Sequence, residues 1–372
     1  MLRLLSGCLL SFASLAAQTS VPPAPLADLA DLLAPIRAKH GVPALGAAVI
    51  VDGKLTALGV DGVRRAGHDE KVTADDLWHL GSCTKAMTAT LLARLVEAGK
   101  LQWTTTAAEA LPDLAPALNE QARAITLTNL LTHRAGLPGG PPADLWKQLW
   151  DWKGSLRDAR TEVCKRMLGV APEAPLGERF FYSNASYIIA GAIAEHAANA
   201  AWEDLMRREI FAPLGITSGG FGMPGDKDGT TQPWGHKPDP KGPVAEFGDN
   251  PPALGPAGTV HMTLRDWAKF AALHLGEPGP DGNLLLRAET LQALHTPPPK
   301  ADYACGWAVT ERPWAPGPIL THNGSNTMWY CVAWLAPAAK FAVLVTSNEG
   351  DASKACDDVA AACIRKFRPA KK

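Results

Sequence analysis

Two rhythms of apolar residues divide the chain. The stretch LADLADLLAPIRAKHG, residues 26–41, carries its leucines at helical spacing and stops at Gly41, the pattern of a helix closed by glycine. ALGAAVIVDGKLTALGV follows, two apolar runs around Asp52-Gly53, which reads as a β-hairpin because an Asp-Gly pair suits a tight turn with positive φ. From Ser82 the spacing is helical again. Met87, Leu91 and Leu95, with Leu92 and Val96, line one face, and Gly99 supplies a stop. Between Lys100 and about Ala257 the pattern is helical segments joined by Pro/Gly loops. Strand chemistry returns near the other end. CGWAVTERPW, TMWYCVAWLAP and KFAVLVTSNEG read as three strands, and residues 351–367 as a closing helix.

A hairpin and three strands are each too few to make a covered sheet alone. The economical solution is one antiparallel sheet built from both ends of the chain and flanked by the first and last helices. The middle is then an inserted all-helical lobe, giving an α/β fold of the α+β type. The expected bounds are a sheet lobe over about 26–100 plus 257–372 and a helical lobe over about 101–256. Together they make a single domain spanning 18–372. A cleft between lobes is the expected place for a site.

Composition narrows the function classes. The chain has 372 residues, 47% of them hydrophobic, and a net charge of -1. Its basic residues are scattered, so no electrostatic footprint for nucleic acid or an anionic membrane is present. Residues 1–17 read as an export signal: a basic Met1-Leu2-Arg3 head, an apolar run and small residues at Ser14 and Ala16. LSGC, ending at Cys8, resembles a lipoprotein box, but the apolar run follows the cysteine instead of preceding it. No later apolar run approaches the ~20 residues of a membrane span. Six cysteines lie beyond the signal, with no C-x-x-C spacing for a metal or redox site. Cys356 and Cys363 would stand ~10.5 Å apart along a helix, too far to bridge; a Cys305–Cys331 pair is the disulfide considered. G-x-S-x-G, H-E-x-x-H and Walker motifs are absent. GFGMPG, residues 220–225, matches G-x-G-x-x-G in letters only, since Pro224 interrupts it and the flanks lack strand and helix.

Ser82 is the one serine with a lysine, Lys85, three residues on, although chance supplies about 0.6 such matches in this composition. It sits at the start of the apolar-striped helix, where the dipole favours developing negative charge, and the spacing puts both side chains on one face. A lysine base active near neutral pH must be buried or close to another cation. Tyr182-Ser183-Asn184 follows a Gly-containing turn and opens an apolar helix. It can aim a phenol and a carboxamide into the cleft, or be an aromatic cluster with a helix cap. His322-Asn323-Gly324 opens a strand beside the cleft, where glycine permits close backbone approach. The Ser325 N–H, with that of Ser82, can form an oxyanion hole; alone, the triplet is a polar turn.

In order and spacing, Ser82-Cys83-Thr84-Lys85, Tyr182-Ser183-Asn184 and His322-Asn323-Gly324 resemble the penicillin-recognising serine hydrolases. The nearest group is the class C β-lactamase type, with its DD-peptidases and family VIII esterases. HGVPALGAAVIVDGKL, LVEAGKL, ITLTNLLTHRAGLPG, APLGI and AGTVHMTLRDWAKFAALH are similar to connecting segments of that family. The resemblance implies a β-lactamase/transpeptidase-like fold. It makes Ser82 the acylated nucleophile, with Lys85 and Tyr182 sharing the proton work. Asn184 holds the substrate amide, and the strand from Ser325 docks the substrate edge-on. His133, in LLTHRAGL, reads as structural. One departure stands out. His322 replaces the lysine of β-lactamases of this kind, and Asn323 replaces a small hydroxyl residue, so contacts to a substrate carboxylate weaken. The expectation is an exported periplasmic or secreted hydrolase, acting as a monomer on a small-molecule or peptide substrate. It is a peptidase or esterase rather than an efficient β-lactamase, without metal or cofactor. The alternatives are a class C-type β-lactamase and a non-catalytic penicillin-binding or sensor module.

Overall fold

The computed structural model describes residues 25–369; the expected export signal over residues 1–17, with Cys8, lies outside the described residues. Seven strands form the main sheet. They are β1 (Ala27–Asp28), β2 (Ala44–Val51), β3 (Lys54–Gly62), β4 (Ala308–Thr310), β5 (Ile319–Ser325), β6 (Tyr330–Ala336) and β7 (Phe341–Ser347). Their order is β1-β3-β2-β7-β6-β5-β4, antiparallel throughout except for β1 with β3. Asp52 and Gly53 have φ of 50° and 74°, the positive values that an Asp-Gly hairpin turn requires. The two ends of the chain meet where β2 pairs with β7, from Ile50↔Ala342 to Leu45↔Ser347.

The period-2 pattern of the strands sends alternate residues to two cores. Leu45, Ala47, Val49, Val343 and Val345 join a cluster with helix α1 (Ala30–His40) and the C-terminal helix α6 (Ser353–Phe367). Ala44, Ala48, Ile50 and Leu344 face the other way. Their cluster also holds Met87 and Leu91 of α2 (Thr84–Glu97) and Trp267 and Phe270 of α5 (Leu264–His274). All of β7 is buried, and each fully buried Val or Leu contributes about 1.5–3 kcal/mol relative to exposure. In the middle of the chain, α3 (Leu156–Leu168) packs on α4 (Asn184–Ala198), which in turn packs on α2. The residues of α4 from Ala185 to Glu195 are all buried, and its alanines and Gly191 let neighbouring helices come close. Gly191 lies directly against Pro256, whose Cγ would stand 2.2 Å from a Cβ there.

The expected mixed architecture is present, with several corrections in detail. His322-Asn323-Gly324 lies inside its own strand, β5, rather than opening the strand that runs from Tyr330 to Ala336, now β6. Residues Ala304–Trp307 fold as a turn, which leaves β4 only three residues of the run read as a strand. The closing helix starts at Ser353. Gly220–Phe221 of GFGMPG pairs with Val260 and His261 in a small separate sheet, so this segment is a short strand leading into a loop. The six described cysteines are free, which overturns a Cys305–Cys331 bridge. Cys331 points from the inner face of β6 toward the Ser82 turn, where its Sγ lies 3.5 Å from that of Cys83.

Candidate active site

Ser82 occupies a 3-10 turn, Gly81–Cys83, that runs directly into α2. Two glycines bring this turn against β5. A Cβ on Gly81 would lie 2.4 Å from the Ser325 nitrogen, and one on Gly324 would lie 2.0 Å from the Leu80 oxygen and 2.9 Å from the Ser82 nitrogen. Backbone therefore touches backbone, a contact that only residues without side chains allow. The amides of Ser82 and Ser325 are brought to the same end of the cleft. Among the described residues, β5 has no partner on the β4 side beyond Thr321, and this strand edge runs past Ser82.

Lys85, one turn after Ser82 at the start of α2, is completely buried. Its Nζ lies 3.0 Å from Ser82 Oγ, 2.7 Å from Asn184 Oδ1 and 2.7 Å from the Ala257 carbonyl. Burial, only partly opposed by the neighbouring Cys83, brings its pKa down to about 7. A lysine poised there populates its neutral form near neutral pH. In that form it has a lone pair to receive the proton of Ser82.

The Tyr182-Ser183-Asn184 loop is held from below by the LLTHRAGLPG segment. Ser183 N–H donates to His133 Nδ1 at 3.1 Å, Ser183 Oγ donates to the Pro138 carbonyl at 2.6 Å, and Asn184 N–H donates to the Gly139 carbonyl at 2.7 Å. Ser183 Oγ also accepts from the Ser186 amide and so caps α4. The cap reading and the cleft reading of this triplet are therefore both met, by different side chains. Tyr182 stands in the cleft with 38% of its surface exposed, and its ring centroid lies 4.8 Å from Lys85 Nζ. Burial pushes its phenol well up, against a smaller opposing effect of the Ser82 hydroxyl.

His133, read from the sequence as structural, packs among the aromatic rings of the cleft. Its buried ring stands 4.4 Å from Tyr182 and 4.9 Å from Tyr303, centroid to centroid. Burial, then Lys85 and His322, push its pKa well down, so it is neutral. His322 projects toward the same side as Ser82, but both ring nitrogens are engaged. Nε2 is 2.9 Å from the Tyr303 hydroxyl and Nδ1 is 2.5 Å from the Asn323 carbonyl. A carbonyl only accepts, so Nδ1 carries the proton and Nε2 accepts from the phenol. Alternation along β5 sends the Asn323 side chain to the opposite face, where its Nδ2 donates to the Tyr330 hydroxyl at 3.0 Å. A groove of about 340 Å³ wraps this edge, lined by Tyr182, Tyr303, His322, Asn323, Tyr330 and Trp334 among others.

Sequence reasoning missed Tyr303 and the Ala257 carbonyl. Tyr303 follows a proline run without periodicity, and a main-chain acceptor leaves no trace in side-chain identity. Among the described residues, no group of three or more His, Cys, Asp or Glu is placed to hold a metal.

The chain has relatives among known proteins. The family model "Beta-lactamase" matches residues 29–363. Penicillin-binding protein 4 of Amycolatopsis lactamdurans is 29% identical over 338 residues, covering 87% of this chain and 85% of that protein. Several other relatives are longer, and the chain spans about 60% of their length. The fold is similar to that of a beta-lactamase/D-alanine carboxypeptidase from Pseudomonas syringae, with a TM-score of 0.74 at 19% identity over 91% of this chain and 99% of that one. It is also similar to an octameric penicillin-binding protein homologue from Pyrococcus abyssi, with a TM-score of 0.72 at 21% identity over 90% and 76%.

Proposed function

The chain belongs to the beta-lactamase family of serine hydrolases, and from that premise we propose that Ser82 takes up the acyl group of an amide or ester and passes it to water. The observation that carries this reading is the 3.0 Å contact between Ser82 Oγ and a buried lysine with a pKa of about 7. Ser82 Oγ attacks the substrate carbonyl carbon while its proton moves to Lys85 Nζ. The resulting oxyanion is received by the N–H groups of Ser82 and Ser325. The leaving amine or alkoxide takes a proton from the Tyr182 phenol, which is re-protonated from the Lys85 ammonium. Asn184 orients Lys85 and faces the substrate amide. Water then repeats the sequence on the acyl-enzyme and frees Ser82.

The peptidase or esterase reading is preferred over efficient β-lactam hydrolysis. Both nitrogens of His322 are occupied inside the protein, and β5 offers no lysine at that position for a substrate carboxylate. The loops over residues 139–158 and 219–256 then set which acyl group fits. The protein is exported as a monomer in this proposal, the first through the pattern of residues 1–17, the second because one chain supplies every group used. A fluorophosphonate probe with peptide mapping tests the core of the reading. The label is expected at Ser82 alone, with Ser82→Ala losing both label and turnover on a panel of esters, D-amino peptides and β-lactams. Labelling at Ser183, Ser325 or Cys83 refutes it.

A further inference from the structure

Behind the Ser82 turn, away from the cleft, lies a polar cluster that the proposed reaction does not use. His79 is completely buried, two residues before Gly81, in a short strand paired to Val260–Met262. Its Nδ1 accepts the Gly81 N–H at 3.1 Å. A backbone N–H can only donate, so the ring proton sits on Nε2, which lies 2.7 Å from Asp249 Oδ2. The other carboxylate oxygen, Oδ1, accepts from Asn326 Nδ2 at 3.0 Å and from the Asn250 N–H at 2.7 Å. The Asn326 amide cannot turn over, because its Oδ1 already accepts the N–H groups of Met328 and Trp329 at 3.2 and 3.1 Å.

The connectivity of this cluster is specific. Through His79, Asp249 grips the residue before Ser82. Through Asn326, it grips the residue after Ser325. Ser82 and Ser325, between these two grips, are the residues whose N–H groups would receive the oxyanion, and they lie some 240 positions apart in the chain. We propose that Asp249, His79 and Asn326 form a positioning site that fixes the spacing of the two oxyanion-hole amides. Asp249 is the residue that joins the halves; this rests on the assignment of Ser82 and Ser325 above. The carboxylate is required because both of its oxygens face donors. An amide at position 249 must turn its NH2 either toward His79 or toward Asn326 and the Asn250 N–H. In the first case the imidazole takes the other tautomer and releases Gly81; in the second, the β5–β6 turn loses its tie. Asp249 comes from the 219–256 segment, so the same site also links that segment to the hole.

The test combines spectroscopy and kinetics on the whole protein, after Ser82 labelling has been established separately so that failure of the nucleophile assignment is distinguishable. Long-range 1H–15N spectra of the wild type are expected to show His79 protonated at Nε2 alone. Asp249→Asn is expected to lower kcat about 10- to 100-fold with KM within about threefold, since outright loss of one oxyanion donor costs about 10²–10³. It also shifts the His79 tautomer or the Asn326 side-chain amide signal. The double variant Asp249→Asn/Asn326→Asp restores donor facing acceptor between these two side chains and is expected to recover much of the lost kcat. A wild-type His79 protonated at Nδ1 overturns the proposal whether or not any variant folds. So does a folded Asp249→Asn protein with unchanged kcat, or a loss that falls on KM alone.

Discussion

Asn184→Asp offers the sharpest perturbation of the proposed proton acceptor, because it adds one charge with almost no change in shape. The wild type is expected to show kcat/KM for a neutral ester rising with pH through a midpoint near 7, where buried Lys85 loses its proton. In the variant a carboxylate oxygen takes the place of an amide oxygen 2.7 Å from Lys85 Nζ. Coulomb attraction at that distance is about 1.5 kcal/mol in a water-like dielectric and about 6 kcal/mol at an effective dielectric of 20. At 1.36 kcal/mol per pKa unit, the lysine rises by about 1 to 4 units. The sign follows from which form reacts. The attraction favours the ammonium and the neutral amine is the acceptor, so activity at pH 7 falls about tenfold for each unit and returns at alkaline pH. The assay is kcat/KM against pH from 5.5 to 10 at fixed ionic strength, with Asn184→Ser as the neutral control. A midpoint that stays near 7 in the aspartate variant, or moves downward, refutes Lys85 as the group being titrated.

His322→Lys is expected to raise the ratio of kcat/KM for carboxylate-bearing over neutral substrates about 10- to 150-fold, the equivalent of one charge-assisted hydrogen bond of about 1.5–3 kcal/mol; a flat ratio in a paired substrate assay counts against His322 setting charge preference. Gly324→Ala places a Cβ 2.0 Å from the Leu80 oxygen, so urea unfolding should show a loss of about 1–3 kcal/mol with slower labelling of Ser82. A variant as stable and reactive as the parent would show that the turn and strand are not in that contact. Acid should weaken the fold through buried histidines. Burial brings His236 and His295 each down to about 4, whereas the unfolded chain takes up these protons near 6.5. Stability is thus full above about pH 6.5 and is lost as pH falls toward 4, which urea midpoints at pH 7.5 and 4.5 will show or contradict.

The sequence made the strands of the sheet legible where burial is simplest. β2 and the Phe341–Val345 part of β7 are continuous apolar runs, and Asp52-Gly53 marks a tight turn with positive φ at both positions. β5 was harder to see. ILTHNGS buries Leu320, His322 and Gly324 toward the Ser82 turn and leaves Asn323 and Ser325 exposed, so polar residues on both faces break up the apolar run. Ser82, Lys85 and Tyr182 carried their chemistry in their identities and spacing. His79 and Asp249 did not, because they stand 170 positions apart and neither belongs to a local pattern. His322 was visible as a departure from lysine. That both its nitrogens are spent on Tyr303 and on its neighbour's carbonyl required a fold that brings the residue after a proline run back to β5.

The pairing of β2 with β7 also governs when this protein can come into being. Partners such as Ala48 and Leu344 must close a loop of roughly 300 residues before either strand has its full set of neighbours. Contacts of that range slow folding and leave strand edges open in the meantime. During synthesis the β2–β3 hairpin leaves the ribosome long before its central neighbour exists, and a lone hairpin is marginal in water. A chain interrupted between Cys83 and Phe341 has the residues of the Ser82 turn but no completed platform beneath it, so a truncated product should be inert and prone to degradation. The sheet is therefore completed only once the Phe341–Ser347 strand has been made.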